Sequence, residues 1–160
     1  MSLYDLGQFN FDSTFAAKAQ FLSSVDLTSS TNVREIYETI LHKNAPLTGE
    51  AQIDVNNGSL HYYNEQSTGN FTFNIKGLYN IAAGKSIVVT ILSTMGSTAY
   101  VMSNPTTTGF KIDDNVVTVK WINSISPTSG FTNSINVYTF AIIKNSTNNY
   151  TVLGTLSNFG

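Results

Sequence analysis

Hydrophobic and polar residues alternate most regularly in the C-terminal quarter of the chain. The segments 116–121, 136–144 and 150–153 combine β-branched and aromatic residues with the two-residue period of a strand. The turn formers Pro127-Thr128-Ser129-Gly130 separate the first segment from the second. This pattern predicts strand, turn, strand, turn, strand, with the end of the chain built into a sheet.

The region from Gly49 onward also has strand patterns. Residues 51–55 alternate apolar and polar side chains. The tripeptide Asn56-Asn57-Gly58 that follows is typical of a hairpin turn, because its residues tolerate positive φ. The sequence therefore predicts a hairpin that returns into a strand over residues 59–63.

Further strands are predicted between residues 70 and 116. Residues 71–75 place Phe, Phe and Ile on one face, and the continuous apolar run 87–92 predicts a strand buried on both faces. Residues 99–102 and 110–112 are shorter candidates, and Asp113-Asp114-Asn115 predicts a turn. Short strands spaced about ten residues apart predict an all-β, single-domain antiparallel β-sandwich, jelly-roll-like in form.

The first residues differ from this domain. Residues 1–31 are expected to form an extended N-terminal arm or accessory strands, and residues 32–160 the β-sandwich domain. Apolar residues in the first part follow no clean period, so they either complete the domain or dock on another subunit. The candidate interface residues are Leu3, Tyr4, Leu6, Phe9, Phe11, Phe15, Phe21 and Leu22.

Residues 32–41 carry conflicting signals. Asn32 and Glu35 have the spacing of a capping box, and the following apolar residues fall at helical spacing. Several of those residues are β-branched, which favours a strand instead. Helix and strand both stay open here, with a strand expected near residues 38–42.

Composition narrows the class of protein. Charged residues make up 11% of the chain, whereas Asn, Ser and Thr number 18, 18 and 20, so uncharged polar groups hydrate most of the surface. A net charge of −2 offers no basic excess for phosphates, which disfavours nucleic-acid binding. The absence of cysteine excludes disulfides and thiolate metal sites. No signal peptide or bilayer-spanning segment is predicted, so no membrane partner is expected.

Candidate chemistry is sparse. His42 and His61 have no second histidine or carboxylate at metal-binding spacing, and Asp113-Asp114 fits a turn better than a calcium site. No nucleotide-binding or serine-hydrolase motif is present. The two carboxylates of a glycosidase can be far apart in sequence and meet only in the folded protein, so the sequence does not exclude such a pair. We therefore expect no enzyme, no catalytic residue, no cofactor and no metal site.

Aromatic residues leave one binding interpretation open. A sugar-stacking platform competes with ordinary packing, because aromatic residues in strands are more often part of a core. The candidates are Tyr62, Tyr63, Tyr100, Trp121 and Tyr138.

Several segments together carry a family resemblance. They include Asn32–Glu38, Leu60–Tyr63, Gly69–Gly77, Gly84–Leu92, Gly96–Tyr100, Phe110–Asp113, Lys120-Trp121, Asn133–Lys144 and Tyr150–Gly154. The chain over residues 32–160 resembles small structural proteins of tailed marine bacteriophages of the cyanophage type. The segment around Trp121 and the strand 136–144 are the most specific parts. Asn123-Ser124-Ile125-Ser126 departs from the small residues and glycines expected after the tryptophan.

This resemblance implies a β-domain on a virus particle. The function it implies is a virion structural protein, first a capsid-surface decoration, cement or knob subunit, and alternatively a tail fibre or tail adaptor component involved in host attachment or carbohydrate binding. The implied partners are the major capsid protein or tail proteins, together with further copies of the chain in a homo-oligomer. The implied location is the virion, assembled in the host cytoplasm.

Overall fold

The computed structural model of the chain describes residues 38–160. They form ten strands and three short 3-10 turns, which confirms the predicted all-β class. The strands are β1 (Ile40–Pro46), β2 (Gly49–Asp54), β3 (Leu60–Glu65), β4 (Phe71–Lys76), β5 (Ser86–Thr94), β6 (Phe110–Ile112), β7 (Asn115–Val116), β8 (Val119–Trp121), β9 (Ile135–Ser146) and β10 (Asn149–Phe159). The strand expected near residues 38–42 begins at Ile40. The predicted arm, its eight interface residues and the boundary at residue 31 lie outside the described residues.

The ten strands form two sheets. The six-stranded sheet has the order β1-β3-β5-β9-β10-β8, and the four-stranded sheet has the order β2-β4-β6-β7. From β1 to β6 the chain alternates between the sheets, so each sheet gains every second strand. Neighbours added in this way run parallel, because the chain passes through the other sheet before it returns.

The prediction of a wholly antiparallel arrangement is wrong. The pairs β1–β3, β3–β5, β2–β4, β4–β6 and β8–β10 are parallel, and only β5–β9, β9–β10 and β6–β7 are antiparallel. The two-residue period identifies which side chains of a strand face the core. It carries no information about which strand lies alongside.

The hairpin predicted at Asn56-Asn57-Gly58 does not form. Residues Val55–Asn57 make a 3-10 turn in which the Asp54 side chain accepts a hydrogen bond from Asn56 N at 3.0 Å. A two-residue type I′ hairpin needs positive φ at both central residues, and within this turn region only Gly58 has it, at +129°. The chain therefore leaves β2 in one sheet and enters β3 in the other.

The C-terminal strands agree with prediction, with one division. β9 and β10 form a long antiparallel hairpin, with Asn148 at a φ of +55° in its turn. The predicted single strand 116–121 is split, because β7 belongs to the four-stranded sheet and β8 to the six-stranded sheet. Val117 and Thr118 make the passage between them.

The turn predicted at Asp113-Asp114 is confirmed. Both residues have positive φ, 46° and 70°, and they join the paired residues Ile112 and Asn115 of β6 and β7. Two consecutive positive φ angles are the signature of a type I′ turn, which matches the twist of the strands on either side.

Two other strand predictions need correction. The run 87–92 is not buried on both faces: Val89 is fully buried, whereas the neighbouring Val88 is 54% exposed. Residues 99–102 form no strand, since only Met102 pairs, in an isolated bridge with Phe71. One face of β5 therefore points away from the core.

Aromatic side chains from both sheets meet in one core. Phe73 of β4 and Phe110 of β6 pack against Phe140 of β9, with ring centroids 5.6 and 4.6 Å away. The Tyr138 ring lies 5.3 Å from Phe73, and its hydroxyl accepts a hydrogen bond from Met102 N at 3.2 Å. Large aromatic rings dominate the energetics of such a core. The inner faces of the sheets are thus occupied, which leaves two outer faces.

Candidate functional site

The two histidines lie on opposite sides of the six-stranded sheet. His61 is 1% exposed and its Nε2 lies 3.0 Å from Gly58 O, and burial lowers the pKa of this imidazole. His42 is exposed, and its ring centroid lies 5.6 Å from that of Tyr62. Because one side chain points into the core and the other outward, the fold does not bring the pair together.

The carboxylates that come closest to forming a site are used by local structure. Asp54, Asp113 and Asp114 line a cavity of about 330 Å³ together with Lys76 and Gly77. Asp113 Oδ1 accepts from Gly77 N at 2.8 Å, and Lys76 Nζ lies 2.5 Å from Asp114 Oδ1, which lowers the pKa of Asp114. Within residues 38–160 no group of three or more His, Cys, Asp or Glu side chains is placed to hold a metal ion.

The five aromatic residues considered for a sugar-stacking platform do not share a surface. Tyr63, Trp121 and Tyr138 are buried in the core, and burial raises the pKa of both tyrosines. Trp121 Nε1 donates to Pro105 O at 3.1 Å. Only Tyr62 of the exposed or half-buried candidates lies on an outer sheet face, so the five rings make no common stacking surface.

The outer face of the four-stranded sheet carries charges that are paired. Lys111 Nζ lies 2.6 Å from Glu50 Oε2, and this contact, with a hydrogen bond from Asn74, lowers the pKa of Glu50. Asn74 Nδ2 also donates to Asp114 Oδ1 at 2.8 Å. We call this surface the charged face; its members are Glu50, Gln52, Thr72, Asn74, Lys76 and Lys111. It satisfies its own polar groups and is suited to face water.

The outer face of the six-stranded sheet has a different composition. The outward positions of β5, β9 and β10 contribute five residues each, and none of them is ionisable. We call this surface the uncharged face; its cross-strand rows are Ser86–Ile143–Thr151, Val88–Ala141–Leu153, Thr90–Thr139–Thr155, Leu92–Val137–Ser157 and Thr94–Ile135–Phe159. Buried residues alternate with them in the middle of each strand, for example Val89, Phe140 and Val152, and the pairing register carries the same outward direction along the rows.

Large apolar side chains on the uncharged face are accessible. Val88 is 54% exposed, Leu153 is 44% exposed and Phe159 is 65% exposed. Ionisable side chains lie on the strands beside it: Tyr62 of β3 pairs with Leu92, Lys120 of β8 pairs with Leu153, and His42 lies on β1. The face therefore mixes accessible apolar side chains with Ser and Thr hydroxyls and carries no charge of its own.

Sequence reasoning missed the uncharged face, although a signal was present. Between Ile135 and Phe159 the outward positions are Thr, Ala, Val, Ile, Leu and Ser rather than Lys or Glu. A strand with one solvated face normally alternates apolar residues that point inward with polar or charged residues that point outward. The lack of charge on this face can be recognised only when it is known which side chains of each strand point away from the core.

A shallow depression lies at the β8 side of the uncharged face. It has a volume of about 360 Å³ and is lined by Lys120, Ile122, Thr139, Ala141, Leu153 and Thr155, among others. Gly154 of β10 also lines it. A Cβ at this position would lie 2.5 Å from Val119 Cγ1 and 3.1 Å from the Trp121 ring. The packing of Trp121 beside β10 therefore requires glycine.

The loop after β8 forms a second apolar feature, which we call the loop pocket. It has a volume of about 320 Å³ and combines Trp121, Ile122, Ile125, Pro127, Phe131 and Leu156 with the hydroxyl residues Ser126, Thr128 and Ser129. Asn123 and Ser124 have positive φ, 54° and 59°, which turns the chain sharply here. Ile125 is 72% exposed at its rim.

Comparisons of the chain with known proteins found no relative. In residues 38–160 no helix is long and apolar enough to cross a membrane. No family model, curated protein or solved structure matches the chain. The resemblance to phage structural proteins stays a prediction, and the functional argument rests on the surfaces described above.

Proposed function

We propose that this chain is a bacteriophage virion structural protein, acting as a capsid-surface decoration, cement or knob subunit. The observation that carries the proposal is the uncharged face. A broad outer surface of aliphatic and threonine side chains without an ionisable group fits an assembly component, because the cores of protein interfaces are depleted of charged residues. The family resemblance of residues 32–160 points in the same direction.

The proposed role is structural and not enzymatic. Its support is the local contacts of these groups: His61 Nε2 lies 3.0 Å from Gly58 O, Asp113 Oδ1 accepts from Gly77 N, and Asp114 pairs with Lys76. Within this proposal the domain is a β-sandwich in the general sense of two sheets around one core. A jelly-roll order of strands stays a prediction, and the parallel pairs count against it.

The proposed partners are the major capsid protein or tail proteins and further copies of the chain, in a particle assembled in the host cytoplasm. Repeated weak contacts become strong when many act together on one particle. The net charge of −2 gives no support to nucleic-acid binding. The candidate anchor remains the segment from Leu3 to Leu22.

Deletion of residues 1–22 tests that anchor. We expect the shortened chain to lose particle binding in co-sedimentation and to keep the far-ultraviolet circular dichroism of a β-domain, because the described strands start at Ile40. Particle binding at the level of the full chain would contradict the anchor.

The alternative is a tail fibre or tail adaptor component involved in host attachment or carbohydrate binding. The loop pocket favours this alternative, because exposed Phe131 and Ile125 lie beside the hydroxyl residues Ser126, Thr128 and Ser129. Apolar walls with a few convergent polar groups are the usual composition of ligand sites.

Cryo-electron microscopy of intact particles that carry this chain tests the proposal. Density for the domain at symmetry-related positions over the head supports a decoration subunit. Density at the tail alone supports the alternative. If no density in the purified particles can be assigned to the chain, both proposals are refuted.

A further inference from the structure

The uncharged face needs a covering surface that is also uncharged. We propose that two copies of this chain pack their uncharged faces against each other across a two-fold axis. The proposal rests on the assembly role above and names the partner on that surface. Three observations support a second copy: the distribution of charge, the available area and the relief of the face.

Charge is the first observation. A partner with ionised side chains at its contact surface would lose their hydration against this face and find no opposite charge in β5, β9 or β10. The matching surface must itself lack charge. A second copy supplies such a surface at equal concentration. The acid–base pairs Lys111–Glu50 and Lys76–Asp114 stay on the opposite side of each copy, in water.

Area is the second observation. The strands β5, β9 and β10 are 9, 12 and 11 residues long. At about 3.4 Å per residue and about 4.8 Å between strands, these three strands and the six residues of β3 present roughly 600 Å², with β8 and its Lys120 left out. Two such faces in contact bury about 1,200 Å², at the lower end of the range of roughly 1,200–2,000 Å² for stable specific interfaces.

Relief is the third observation. Two sheets pack about 10 Å apart with interdigitating side chains, which requires projecting residues on one surface and space on the other. Val88 is 54% exposed and projects, whereas Thr139, Ala141 and Leu153 line the 360 Å³ depression. A two-fold contact places the same surface on both sides, so one face supplies both the projections and the space.

Charge reversal at the centre of the face tests the contact. Thr139 lies on β9, between Thr90 of β5 and Thr155 of β10, so two copies bring their Thr139 side chains near the symmetry axis. We expect the full chain to sediment as a dimer, and T139E and T139K each to weaken the dimer at least about tenfold through like-charge repulsion. An equimolar mixture of T139E and T139K should dimerise again. The matched control is T72K, at a half-buried threonine in the middle of the charged face, which should dimerise like the parent chain.

Sedimentation equilibrium with circular dichroism of every variant distinguishes the outcomes. A parent chain that is monomeric at about 100 µM, far above the dissociation constants usual for interfaces of this area, overturns the proposal. Folded T139E and T139K proteins that dimerise like the parent chain also overturn the proposal. The same holds if their dimers are unchanged and only the deletion of residues 1–22 makes the chain monomeric. Because no particle is present, a dimer that never appears in virions would refute the proposed function and leave this contact intact.

Discussion

The two outer faces of this domain are made by the same kind of strand and cover the same core, yet they differ in chemistry. The charged face pairs Lys111 with Glu50 and ties Asn74 to Asp114. The uncharged face offers Val88, Thr139 and Leu153 at equivalent outward positions. An outward residue needs only to suit what covers it, and the paired charges of the first face suit water. This difference in chemistry is the reason why the uncharged face is the one we propose as the assembly surface.

The core beneath both faces should give the largest effect. Phe140 packs against Phe73, Phe110 and Trp121, so F140A leaves a cavity shared by the two sheets. We expect a loss of about 3–5 kcal/mol in the free energy of unfolding, measured by denaturant titration. The control T72A, at an outward position, should cost less than about 1 kcal/mol. Similar losses in both variants would mean that the two sheets do not share one core.

A smaller loss of stability should follow from adding a side-chain carbon to Gly154, beneath the depression. A Cβ at Gly154 would lie 2.5 Å from Val119 Cγ1, so G154A forces β8 and the Trp121 ring away from β10. Overpacking of this kind typically costs about 1–3 kcal/mol. Thermal unfolding and the tryptophan fluorescence of the single Trp121 both report on this site. An unchanged emission maximum and melting temperature would show that the ring has room to move.

Acid should weaken the fold but not the contact between uncharged faces. Burial lowers the pKa of His61 below its ordinary value of 6.5, so below that pH the unfolded chain binds a proton that the folded chain resists. The free energy of unfolding should thus be highest above pH 6.5 and fall as the pH drops toward the folded-state pKa of His61. Urea titrations across this range measure the slope.

Two variants assign that slope. H61Q should flatten it, whereas T72A, which changes no ionisable group, should keep it. The dimer constant of the parent chain should change little over the same range while the protein stays folded, because β5, β9 and β10 present no ionisable outward residue. A dimer that dissociates before the fold weakens would place a titrating group in the contact.

The charged face should respond least. Lys111 lowers the pKa of Glu50 across a 2.6 Å contact, but both side chains are accessible to solvent, so the pair is screened by water and salt. E50Q and K111Q should each lower the melting temperature slightly at low ionic strength, and the differences should vanish in high salt. Neither variant should change the dimer. A deficit that persists in high salt would indicate that the pair also organises packing.

The conformation of a turn was predictable from its own residues where no neighbouring side chain competes for its backbone hydrogen bonds. Asp113 and Asp114 tolerate positive φ and lie between two short apolar runs, and the turn formed as expected. The same reasoning failed at Asn56-Asn57-Gly58, because the Asp54 side chain captures the Asn56 amide and closes a 3-10 turn instead. The residues permitted both turns, and the position of β3 in the opposite sheet selected one.

The sequence by itself determined that this domain is all-β in class and which side chains of β9 and β10 point the same way, because a period of two is a property of each strand alone. The tertiary structure decided that β1 to β6 alternate between two sheets, that Val88 points outward, and that fifteen uncharged side chains form one surface. Those outcomes depend on which strands become neighbours. Neighbours such as Val88, Ala141 and Leu153 are far apart along the chain, and only folding places them in one row.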